Sequence, residues 1–224
     1  MTPKAYGYYL GIGVSAGLLF LLLQQNLEDW HSAGPLNPGH EDLICKECHI
    51  PADGTIRQQI QANVRFYLGQ RHSENDFVFT KISNKQCIAC HDKKGDDHHP
   101  TYRFNEPKFK KVRVLIHPEL CISCHLEHSG KRVSHFKATD CKLCHKDLRI
   151  EDDAITVPHD ELIKREDWET CMGCHDFHGN HKMDIEKIVG RSIKAAKIQD
   201  YFKTAPSPYL GGIIHKAKES IYEK

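Results

Sequence analysis

The chain has 224 residues, a formal net charge of +1 with its histidines neutral, 39% hydrophobic residues and a mean hydropathy of -0.56. That balance gives no electrostatic case for nucleic acid as a partner, and the length allows one or two domains. Few apolar side chains remain for an ordinary core once one very apolar N-terminal stretch is set aside.

That stretch comes first. Between Lys4 and Glu28 lie 23 residues without a formal charge, ending in Leu18-Leu19-Phe20-Leu21-Leu22-Leu23. About 20 apolar residues at 1.5 Å rise cross a hydrocarbon core, so the pattern predicts a transmembrane anchor over residues 1–27 rather than a cleaved signal peptide. Lys4 before the segment and Glu28 and Asp29 after it place the N-terminus in the cytoplasm and the rest of the chain outside. Tyr6, Tyr8, Tyr9 and Trp30 suit the two interfaces, and Gly7/Gly11 and Gly13/Gly17 would let a partner helix approach. A linker rich in Pro and Gly follows, over 24–40.

At Cys45-Lys46-Glu47-Cys48-His49 a pattern begins that recurs as Cys87–Cys90–His91, Cys121–Cys124–His125, Cys141–Cys144–His145 and Cys171–Cys174–His175. The five copies of Cys-x-x-Cys-His use all ten cysteines. Zinc binding or disulfides would explain paired cysteines, but not a histidine after every pair. With 17 histidines in 224 residues, five such coincidences arise by chance about three times in a million, which decides for the attachment signature of haem c. Each cysteine pair would form two thioethers, and the adjacent histidine would take the proximal axial position. Five covalent haems would supply the missing core, so the chain without them should be largely unfolded. The absence of an unassigned thiol points to an oxidising compartment, expected to be the periplasm.

The motif starts are separated by 42, 34, 20 and 30 residues, an irregular repeat that predicts a mostly α fold with little regular structure over 28–183. The 20-residue spacing makes the third and fourth haems neighbours. Residues 58–68 read as a helix and residues 108–116 as an extended segment. Beyond the motifs, residues 184–224 form a third region. Ile185, Ile188, Val189, Ile198, Tyr201 and Phe202 interleave with charges there, predicting an amphipathic helix followed by a tail opened by Gly211 and Gly212. That helix would pack on its own haem domain or dock on a partner or a membrane face.

Twelve histidines lie outside the motifs, and most cluster near them, which predicts bis-His coordination. The expected distal set is drawn from His72, His99, His117, His128, His135, His159 and His178. His31 and His215 are expected bystanders, and methionine ligation has only Met183 well placed. The run Cys121-x-x-Cys124-His125-x-x-His128-x-Gly130, then Cys141-x-x-Cys144-His145, then His159, resembles multihaem cytochromes c of the class III type over about residues 40–182. The resemblance implies low-potential, closely packed haems acting as an electron wire. With its N-terminal helix the chain is also similar to membrane-anchored tetrahaem quinol dehydrogenases, from which it departs by a fifth motif and by Ile50-Pro51-Ala52-Asp53 after the first. It is similar in outline to pentahaem subunits of alternative complex III.

The sequence therefore predicts an electron carrier of the respiratory chain, not an enzyme. It would be single-pass in the inner membrane, with partners among membrane oxidoreductase subunits (through the helix and the C-terminal tail), other periplasmic cytochromes and the lipid bilayer. The competing expectation is a multihaem reductase of a small oxyanion such as nitrite, which needs one haem with an open distal side. A third is a conduit that polymerises into a filament.

Overall fold

The computed structural model describes residues 2–22, 32–183 and 186–219. Expectations resting on Glu28, Asp29, Trp30, His31 and Ile185 lie outside the described residues. What it describes is largely helical, with turns and loops between short helices and only isolated β-bridges.

Helix α1, Pro3–Leu22, forms where the apolar stretch predicts a helix, but it corrects the reading of that helix as an anchor. Among the described residues, no helix is long and apolar enough to cross a membrane. The physical reason lies in its first half. Pro3, Lys4, Tyr6, Tyr8, Tyr9, Gly7, Gly11 and Gly13 dilute it, and the aliphatic run is confined to its last turns. The expectation of a single-pass inner-membrane protein falls with the anchor, and so does the orientation of the haem domain read from it.

Helix α2 is the single turn Cys45–Cys48 of the first motif. Helix α3, Ile56–Tyr67, is the expected helix, started by a capping box in which the Thr55 amide donates to Gln58 Oε1 (2.8 Å) and the Gln58 amide donates to the Thr55 hydroxyl (3.4 Å). Gln59 is buried and gathers the neighbouring loops, donating to the Ala52 and Gly54 carbonyls and accepting from the Val78 amide. Helix α4, Asn84–His91, carries the whole second motif behind the Ser83–Gln86 capping box.

The segment expected to be extended is instead a 3-10 turn, Pro107–Phe109, running into α5, Lys110–Ile116. Pro107 suits the first turn of a helix, and Phe109, Val112 and Ile116 recur at helical spacing, with Val112 buried. The remaining motifs sit on single turns: the 3-10 turn Cys121–Ser123, α6 (Lys142–His145) and α8 (Cys171–Cys174). Helix α7, His159–Lys164, lies between the last two.

The C-terminal region is helical only in its second part, as α9, Ala195–Lys203, after a 3-10 turn at Val189–Arg191. Ile198 and Phe202 on α9 are buried with Met172 of the fifth motif, and Val133, Phe136, Phe177, Ile193 and Tyr201 pack around them. Gly173 makes this contact possible, since a Cβ there would collide with the Ile193 carbonyl. Arg132 fastens the same junction by donating to the Tyr201 (3.0 Å) and Ala205 (2.8 Å) carbonyls. The apolar face of α9 therefore packs on its own domain. The tail folds back as well: Lys182 donates to Gly212, Ile214 to Asn180 and Lys218 to Cys90.

Candidate haem centres

All ten cysteines carry free thiols, so the disulfide reading has no pair to stand on. Nor do three or more His, Cys, Asp or Glu side chains converge on one point among the described residues, as a structural zinc site requires. Histidines instead meet in twos. Each motif histidine faces one histidine from elsewhere in the chain: His49 faces His128 (6.3 Å between ring centroids), His91 faces His40 (5.8 Å), His125 faces His178 (6.3 Å), His145 faces His98 (6.3 Å) and His175 faces His159 (6.2 Å).

The informative quantity is the pairing of histidine with histidine at one spacing in all five places, since other ring pairs, His98–Phe104 at 6.2 Å among them, also lie this far apart. Rings that stack in this protein lie closer, as His99 and Tyr102 do at 3.9 Å. Two metal–imidazole bonds of about 2 Å plus the reach of each ring, about 1 Å, give roughly 6 Å between centroids. The five pairs thus fit the span of one iron between two imidazoles, and each cysteine pair beside a motif histidine would be the residues to hold a porphyrin.

Of the expected distal residues, His128, His159 and His178 take such places. His72, His99, His117 and His135 do not. His72 and His135 are exposed. His117 closes α5 in the left-handed conformation (φ 45°), with its Nδ1 3.2 Å from Glu119. His99 is buried, stacked on Tyr102, and its Nδ1 accepts from the Thr101 amide. Their places are taken by His40 and His98. His181, which follows the fifth motif, is held by Asp176 at Nδ1 (2.9 Å) and the Tyr201 hydroxyl at Nε2 (3.2 Å).

Four of the five partner histidines are oriented through Nδ1, which leaves Nε2 for the metal side. His40 meets Glu127 Oε2 at 2.9 Å, His178 meets Asp96 Oδ2 at 2.8 Å and His159 meets Asp153 Oδ2 at 2.8 Å. His128 lies 3.0 Å from the Gly34 carbonyl and 2.9 Å from the Ser32 hydroxyl. Among the motif histidines, His125 donates to the Arg132 carbonyl at 2.6 Å. The Glu127 hydrogen bond raises the His40 pKa against the opposing effect of burial. Burial pushes Asp96 up, but the His178 hydrogen bond and charge outweigh it and hold the carboxyl below its usual range. Glu127 is lowered in the same way by His40, against its own burial.

Sequence spacing links the sites to one another. In Cys124-His125-x-x-His128 the first histidine serves the third site and the second the first site. In Cys174-His175-x-x-His178 they serve the fifth and the third. His128 itself has a left-handed backbone (φ 61°). Asn84 joins the second and third motifs, accepting from the Cys121 amide (2.9 Å) and donating to the Glu119 carbonyl. Cys87 and Cys121 are themselves within hydrogen-bond reach, which pulls Cys87 down and pushes Cys121 up. Phe177 joins the third and fourth sites, stacking on His98 at 4.1 Å and turning its edge to His178 at 5.0 Å.

Gly34 has no room for a side chain, because a Cβ would strike the His128 carbonyl. The Gly34→Ala variant should lose about 1–3 kcal/mol of stability by overpacking. It should also alter the paramagnetic resonance signature of one haem and leave the other four unchanged. Thermal unfolding and low-temperature spectra of the same preparation check both. No family model, curated protein or solved structure matches this chain.

Proposed function

We propose that this chain is an electron-transfer multihaem cytochrome c with five bis-His haems. One observation carries the reading: every motif histidine is faced by a second histidine at 5.8–6.3 Å. Cys45 and Cys48 would hold the first haem, Cys87 and Cys90 the second, Cys121 and Cys124 the third, Cys141 and Cys144 the fourth, and Cys171 and Cys174 the fifth. Haem iron supplies one-electron chemistry, alternating between ferric and ferrous states.

The chain's own residues do the rest. The two facing imidazoles at each site would hold the iron between them and would leave a substrate no place on it. Carboxylates and carbonyls at Nδ1 hold the imidazoles of His40, His125, His128, His159 and His178 against rotation. Asn84 and Phe177 hold adjacent sites together, giving electrons a path through the domain. The competing reductase reading needs a motif histidine without a facing partner, and none of the five provides one.

The test is a reductive titration of the purified protein followed by reoxidation. It should take up one electron per motif and return them to a soluble one-electron acceptor, without consuming nitrite. Sustained nitrite reduction would overturn the reading in favour of an enzyme. A preparation without covalent haem would overturn it altogether.

A further inference from the structure

The five partner histidines are not held alike. Three have a carboxylate at Nδ1: His40 with Glu127, His178 with Asp96 and His159 with Asp153. The other two have neutral partners. His128 has the Gly34 carbonyl and the Ser32 hydroxyl, and His98 has the Phe177 backbone. The carboxylates are built into the fold. The Asp96 side chain is 5% exposed and also accepts from the His98 amide (2.8 Å). Glu127 accepts from the Asn37 amide (2.7 Å), and Asp153 from the His159 amide (2.6 Å).

We infer that Glu127, Asp96 and Asp153 are positioning residues that lower the reduction potentials of the second, third and fifth sites below those of the first and fourth. The inference rests on the haem reading above. A carboxylate at Nδ1 draws the ring proton toward itself and gives the imidazole more anionic character. A more basic axial ligand, with a negative charge close behind it, stabilises ferric over ferrous iron. A carbonyl or hydroxyl does so less. Lys93 donates to the His178 and Gly179 carbonyls and offsets part of the Asp96 charge, but its contacts are to the backbone and not to the imidazole. At equilibrium the first electrons taken up would therefore rest on the first and fourth sites.

The experiment is a potentiometric titration of the haem-loaded protein, followed by visible and paramagnetic resonance spectra. Wild type is compared with Glu127→Gln, Asp96→Asn, Asp153→Asn and, as a control, Glu74→Gln, which removes an exposed carboxylate paired with Lys81 and in contact with none of the ten facing histidines. The amides keep a hydrogen-bond acceptor and nearly the same shape but remove the charge. Each of the three site variants should move the transition of its own site furthest to higher potential, with a smaller shift of the fourth site for Asp96→Asn because Asp96 also accepts from the His98 amide, and Glu74→Gln should leave all five in place. Unmoved transitions, downward shifts, or a common shift of all five would overturn the inference. Loss of haem from all three site variants would also overturn it, assigning the carboxylates a structural role alone. Covalent haem content, counted in each sample, separates these outcomes from failure of the haem reading, in which wild type itself would carry none.

Discussion

His178→Ala should convert one of the five haems from low-spin to high-spin and make it bind cyanide. His72→Ala should leave the spectrum as it is. The contrast is sharp because sequence position alone ranks both residues as distal ligands, whereas only His178 faces a motif histidine, His125, at 6.3 Å. Removing His178 also strips Asp96 of its 2.8 Å hydrogen bond in a place where its side chain is 5% exposed. A lost hydrogen bond to a charged group costs about 1.5–3 kcal/mol, so the variant should unfold at a lower temperature as well. Low-temperature paramagnetic resonance and thermal unfolding, each with and without cyanide, test the two parts. An unchanged low-spin spectrum for His178→Ala would remove that pair from the account.

The second large effect concerns the chain without its cofactors. Produced where haem cannot be attached, or with the motif cysteines replaced by alanine, it should show no cooperative thermal transition. The reason is the size of its own core. Among the described residues the buried apolar side chains are few, and the main cluster is Met172, Ile198 and Phe202. Around the first site, Ile50, Phe77, Val78 and Phe79 remain exposed on the polypeptide. So small a core cannot offset the conformational entropy of ordering the loops, and a covalent haem at each motif would supply the missing apolar surface. Circular dichroism melts of the two forms check this. A sharp transition in the haem-free chain would show that the polypeptide carries its own stability.

Much of the candidate site is legible in the sequence, and the limits of that legibility have physical causes. The motif cysteines and histidines follow from spacing, because two thioethers and an adjacent ligand demand it. His128 and His178 are legible because a histidine three residues after the motif is aimed at a neighbouring site once a turn reverses it. His40 and His98 are harder. His40 depends on Glu127, which is 87 residues away, to hold its ring. His98 and His99 are adjacent, and only tertiary packing decides that His99 is buried against Tyr102 while His98 turns to His145. His117 looks like a ligand by proximity to Cys121, yet its backbone is used to end α5.

The same distinction applies to the fold. Helix α3 is readable because its capping box and apolar period agree. Lys110–Ile116 deceives because its β-branched residues suggest a strand, while Pro107 and the buried Val112 favour a helix. In α1 the long uncharged stretch is visible in sequence, but charge-free is not the same as apolar. Tyrosines and glycines occupy too many of its positions for a membrane span.

The most direct test of the central claim is low-temperature paramagnetic resonance of the fully oxidised protein, with covalent haem counted in the same sample and spectra taken with and without cyanide. Five haems with low-spin signals only, unchanged by cyanide, is the predicted result, because each motif histidine has its own facing histidine. A high-spin signal in the untreated protein that shifts on adding cyanide would mean an open iron. It would contradict the five-pair account and turn attention to a substrate.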